Sequence, residues 1–163
     1  MADLPDEMLQ KDRQLDPVFR DEEWLYRRVP HELWDDDSIE LDAIELPDMS
    51  VNRQKYSKPA WVRLDRDEYS DWGVIGFQVQ DIPPEIQDDG AFLFPFRSVH
   101  VPLRRNYSHT EVRAYESPVD HPEEETHIGK ALMNRVEPEV HLRWRERLRR
   151  KCRIILRAYE VGG

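Results

Sequence analysis

At 163 residues, with 39% apolar and 36% charged side chains and with five Trp, six Tyr and five Phe, the chain can bury a real core in one domain, which excludes global disorder. No apolar run approaches the roughly 20 residues that span a bilayer, and the single cysteine, Cys152, excludes an internal disulfide. A net charge of −10, an acidic start and the absence of a signal peptide point to a cytoplasmic protein with no membrane partner, and disfavour nucleic acid as the main ligand.

Residues 1–20 are polar and acidic, carry Pro5 and Pro17, and read as a mobile acidic arm, leaving 21–163 as a single domain. Residues 23–29 read as the first strand, ended by Pro30, with Trp24, Tyr26 and Arg28 on one side and Leu25, Arg27 and Val29 on the other. An acidic connector carrying Trp34 fills 31–48, with a turn near Pro47. Residues 51–58 are short and polar, and 61–64 read as a strand. The clearest strand is 71–79, β-rich and bounded by turn residues. Ile82-Pro-Pro-Glu-Ile86 suits a short helix, since proline is tolerated in a first turn. Asp88-Asp-Gly90 is a turn, and Pro95 demotes 92–96 to an edge or bulged strand.

Residues 99–115 carry the densest chemistry. They read as two short strands joined by the polar loop Arg104-Arg-Asn-Tyr-Ser108. Alternation after the loop sends His109, Glu111 and Arg113 to one face and Thr110, Val112 and Ala114 to the other. His109 and Glu111 are therefore the candidate catalytic pair. With His100 across the pair they also have the composition of a two-histidine, one-carboxylate metal set, although the spacings that identify a metal site are missing and no metal is expected. Arg104 and Arg105, with Arg113, supply donors for a phosphate or carboxylate, against the plainer reading of a solvated hairpin tip. No Gly-x-Ser-x-Gly elbow, Walker-type loop or Gly-x-Gly-x-x-Gly is present.

Beyond Pro118, Glu123-Glu-Glu125 suits a helix N-terminus, followed by Ile128, Leu132 and Val136 at i+4 spacing. Pro138 starts a second helix with the apolar stripe Val140, Trp144, Leu148 and Cys152 inside a ring of arginines. Residues 154–156 extend that helix or form a last strand. The sum is an α+β domain, a mostly antiparallel sheet with helices gathered at the C-terminus. Charge is distributed unevenly. Residues 1–50 hold sixteen Asp/Glu against five Lys/Arg, whereas 137–157 hold eight Lys/Arg against three Glu. The two ends can neutralise each other or meet separate partners. The exposed arginines Arg143, Arg147 and Arg150 are the candidate partner-binding residues; the same run can grip nucleic-acid phosphates, but overall acidity and the place of Trp144 on the apolar stripe speak against that.

Three segments, 25–30, 46–53 and 106–112, together resemble a group of bacterial proteins associated with toxin and phage-conflict gene neighbourhoods. Leu25-Tyr-Arg-Arg-Val-Pro30 also resembles the first strand of RES-type toxins, which have an ADP-ribosyltransferase-like fold and consume NAD. That resemblance implies phosphate contacts from Arg27 or Arg28, a middle element at Tyr56 or Ser57, and Glu111 as the acid stabilising an oxocarbenium. The expected function is an accessory or regulatory protein-binding module of a bacterial toxin–antitoxin or antiviral defence system, without a cofactor. The competing expectation is an effector acting on NAD or a nucleotide.

Overall fold

The computed structural model describes residues 3–9, 14–46, 48–87 and 90–158. Its sheet is built from β1 (Trp24–Val29), β4 (Met49–Arg53), β5 (Gly73–Gln78), β6 (Glu85–Gln87), β7 (Phe92–His100), β8 (His109–Pro118), β9 (Thr126–His127) and β10 (Arg153–Leu156). Strands follow the order β10-β5-β1-β4-β8-β7-β6, with β9 beside β8. A two-stranded hairpin of β2 (Trp34–Asp35) and β3 (Ser38–Ile39) stands apart, turning through Asp36 at φ 52°. Every pairing is antiparallel. Two helices, α1 (Leu132–Arg135) and α2 (Pro138–Lys151), lie late in the chain. The molecule is α+β, as the pattern of elements predicts. Among the described residues no helix is long and apolar enough to cross a membrane.

Register assigns the two faces of the sheet. Leu25 pairs with Arg53 and Phe77, Val51 with Thr110, Met49 with Val112, and Phe96 with Ala114, so these side chains share one face. That face is the main core, closed by Trp144 and Leu148 of α2, with Trp144 stacked on Phe96 at 4.3 Å between ring centroids. The opposite face carries Tyr26, Asn52, His109 and, two residues on, Glu111. A smaller cluster of Tyr26, Val62 and Val74 covers part of it.

Several local expectations are corrected. Residues 61–63 belong to a 3-10 turn, Pro59–Arg63, that Leu64 closes, not to a strand: Pro59 pre-sets the first turn and only Val62 is driven inward. Residues 82–86 give no helix; Ile86 pairs with Phe94 and makes β6 the sheet's edge. The Pro95-bearing strand β7 is interior, flanked by β6 and β8, and the β8 register lapses between Leu93 and Phe96, where proline has no N–H to give. Glu123-Glu-Glu125 starts no helix. Thr126 and His127 pair with Glu116 and Tyr115 instead, and Gly129 at φ 50° interrupts any helical run before α1. Residues 154–156 are strand β10, pairing with β5. Pro47 and the Asp88-Asp89 part of the expected turn lie outside the described residues.

Candidate functional site

The level of the sheet at which Asn52 pairs with His109 is where polarity is buried. Asn52, Arg53, Ser57, His100, Asn106, Ser108, His109 and Thr110 are eight of the ten buried polar residues of the described chain. Burying polar groups is costly unless each finds a partner, so such a concentration is either a tightly satisfied network or a working site. Most of it is satisfied. Asn106 Nδ2 donates to Asn52 Oδ1, and Ser108 Oγ donates to Asn106 Oδ1 at 2.6 Å. The backbone joins the same level, Arg53 N donating to Ser108 O at 3.0 Å and Thr110 Oγ1 to that carbonyl at 3.1 Å.

Arg53 is the centre of this region on the core face. Alternation with Met49 and Val51 forces its guanidinium inward, where it is fully buried. Glu23 takes it bidentately, Nε to Oε2 at 2.9 Å and Nη2 to Oε1 at 2.8 Å. The Asp16 and Val18 carbonyls accept its remaining donors at 2.8 and 2.7 Å, and the Phe19 ring lies 3.9 Å from its Cζ. Residues 16–19 are thereby strapped onto the sheet. The Asp16 carboxylate accepts from Lys55 Nζ at 2.7 Å and Tyr56 OH at 2.6 Å, and these two donors hold its carboxyl well below the usual carboxylate range. Asp16 N donates to His100 Nδ1 at 3.0 Å, so His100 carries its proton on Nε2 and gives it to Tyr107 O at 2.6 Å. Tyr107 OH reaches Gln14 O at 2.6 Å.

On the other face, His109, Glu111 and Arg113 project together from an extended β8, as alternation predicts. His109 Nδ1 lies 2.8 Å from Val101 O and donates to it, leaving Nε2 with a lone pair; burial lowers the ring's pKa and keeps it neutral at pH 7. Glu111 accepts from Arg113 Nε at 2.7 Å. Arg28 belongs to this face, paired with Asp65 and the Val62 carbonyl and stacked 3.9 Å from the Tyr69 ring centre. A neutral imidazole beside a carboxylate and two guanidiniums has the makings of proton-transfer chemistry.

Other expected members are elsewhere. Arg27 points to the opposite face, bonded to Ala43 O, Ser50 O and Glu45. His100 pairs with Thr110 and so faces away from His109, which separates the histidines of the two-histidine set. Arg104 and Arg105 occupy a tight turn in which Leu103 and Asn106 exchange backbone hydrogen bonds of 3.0 Å, beyond the ends of β7 and β8. None of the four main clefts of the described residues, from about 380 to about 690 Å³, is lined by His109 or Glu111. The one close group of possible metal ligands among the described residues, His121, Glu123 and Glu124, is fully exposed.

Arg143, Arg147 and Arg150 stand exposed on α2, while Trp144 is 3% exposed and its Nε1 donates to Pro83 O at 3.2 Å. Trp144 is thus core and has no free face for a base. The acidic front and basic tail do meet: Arg157 pairs with Asp37, and a cleft of about 580 Å³ runs between Asp35, Asp37 and Glu40 on one wall and Arg149, Arg150 and Arg153 on the other. The Cys152 thiol at its floor is pushed up to about 12 by burial, which makes it inert. Reasoning from sequence passed over Arg53, Glu23 and Asp16 as a unit. The available signal was the Met49-x-Val51-x-Arg53 alternation, which places a charge on an apolar face. Comparison of the chain with family models, curated proteins and solved structures finds no match.

Proposed function

We propose that this protein is a non-catalytic, cytoplasmic module that works by binding a partner protein through α2, as an accessory component of a bacterial conflict system. The observation that carries the reading is the row Arg143, Arg147 and Arg150, exposed on a helix whose other side is clamped to the core by Trp144 and Leu148. Arginines presented on a rigid element are the usual anchors of protein interfaces. The conflict-system setting rests on the resemblance of residues 25–30, 46–53 and 106–112, of which Met49 to Asn52 and His109 to Val112 pair as neighbouring strands. The polar groups that would do chemistry are largely consumed internally: Glu111 by Arg113, and His109 Nδ1 by Val101 O.

The experiment is in-cell crosslinking of the tagged protein followed by identification of captured partners. Charge reversal at Arg143, Arg147 and Arg150 is expected to lose a partner that the parent protein and Glu111→Gln both retain. Retention of every partner by the charge-reversed protein refutes the proposal. The second reading, an effector acting on NAD or a nucleotide, is favoured by His109, Glu111, Arg113 and Arg28 sharing one face. It predicts that NAD or a nucleotide at a hundred times its dissociation constant stabilises the fold by roughly 2.7 kcal/mol, and that Glu111→Gln removes the effect.

A further inference from the structure

The sheet ends in an open edge beside the helix proposed to bind partners. β6 is paired only with β7, and its far side is bordered by a groove of about 380 Å³ whose other wall is Val140, Arg143, Trp144 and Arg147. Phe96 N donates to Pro84 O at 2.9 Å, so the residues of this strand that bond to β7 are Pro84 and, two on, Ile86. The backbone N–H and C=O groups of Glu85 and Gln87 therefore point outward along the groove. Pro95 sits opposite Glu85, at a pairing that calls for no N–H. An outward row of unpaired amides is a template for one more strand.

Charge identifies the occupant. Arg143 and Arg147 make no ion pair with any described residue, in contrast to Arg150 and Arg149, which both engage Glu146. Ile86 faces the core under α2, so alternation turns Glu85 and Gln87 to the opposite side, where Gln87 Nε2 donates to Glu85 at 3.2 Å. An added strand would thus meet two arginines on its α2 side and a carboxylate on the other. Its side chains should alternate between acidic and neutral. The helix wall cannot give way, because Trp144 is fixed by Phe96 and by the Pro83 carbonyl.

We propose that the β6–α2 groove receives an extended segment of a partner protein, added as a strand to β6, with acidic side chains at alternate positions paired to Arg143 and Arg147. This rests on the partner-binding reading above and names the partner's chemistry. The probe is a fluorescein-labelled, capped peptide of about eight residues alternating glutamate and threonine, measured by anisotropy at low salt. Saturable binding is expected, weakened about tenfold or more by Arg143→Glu with Arg147→Glu. Gln87→Pro removes an outward N–H at an edge position that tolerates proline, and should weaken binding about threefold to tenfold. Backbone N-methylation of the peptide's threonines should do the same, and needs no variant protein. No saturable binding, or binding indifferent to both Gln87→Pro and N-methylation, overturns strand addition. In the crosslinking assay, loss of the partner from the arginine variant but not from Gln87→Pro rejects strand addition and leaves the partner-binding reading standing. Loss from neither rejects both.

Discussion

Replacing Arg53 by methionine removes the one cation that the interior was built around. Its side chain is 0% exposed, so the substitution strands the Glu23 carboxylate, itself only 9% exposed, and deprives the Asp16 and Val18 carbonyls of donors. Breaking a buried ion pair from one side costs about 3–5 kcal/mol, because the remaining charge stays desolvated. Against a typical stability of about 5–15 kcal/mol this is a large share. For a domain of this length it corresponds to a fall in Tm of roughly 6–20 °C. Urea melts followed by tryptophan fluorescence supply the free energy, and limited trypsin digestion at Arg20 reports release of the strap. The double variant Arg53→Met, Glu23→Met should recover much of the loss, since an apolar pair of similar volume is often neutral relative to a buried ion pair. A single-variant cost below about 1 kcal/mol, the range of exposed ion pairs, would refute the assignment of Arg53 as the anchor of residues 16–19.

Burial holds the His100 and His109 imidazoles below their ordinary pKa of 6.5, so the fold binds their neutral forms. Their contribution is complete above about pH 6.5 and is lost as pH falls below it. His100→Asn with His109→Asn should flatten the stability profile between about pH 6.5 and 5; an unchanged slope in that window contradicts the burial argument. Asp16, with its carboxyl depressed by Lys55 and Tyr56, stabilises above the ordinary carboxylate value and loses that contribution in acid, so Asp16→Asn should show a shallower decline below about pH 4 by circular dichroism. Gly73→Ala would place a Cβ 2.3 Å from the Trp34 ring and 2.8 Å from the Ala158 nitrogen, so it should destabilise by about 1–3 kcal/mol in urea melts, an outcome that an unchanged midpoint denies. Cys152, with its thiol raised to about 12, should react with Ellman's reagent only after denaturation, and rapid labelling of native protein would place it outside the core.

Read alone, the chain of residues settled whatever depends on local pattern. Period-two alternation placed β1 and set His109, Glu111 and Arg113 on one side of β8, while β-rich composition between turn residues placed β5. Pro138 and the i+4 stripe through Trp144 and Leu148 placed α2 and its core-facing side. The α+β class followed from those elements. Everything that depends on which strands become neighbours was decided by tertiary structure. Pairing of β4 with β8 brought Asn52 beside His109 and joined two segments more than fifty residues apart in sequence into one polar level. Pairing of β7 with β8 turned His100 away from His109, and the pairings that run from β1 through β4 to β8 turned Arg27 away from Glu111, separations that nothing local signals. Ile86 became an edge strand because Phe94 offered a register, against a proline pair that reads as a helix start. Hydrogen bonds and burial between distant segments outweigh the small propensities of single residues, so partners are fixed only when the sheet closes.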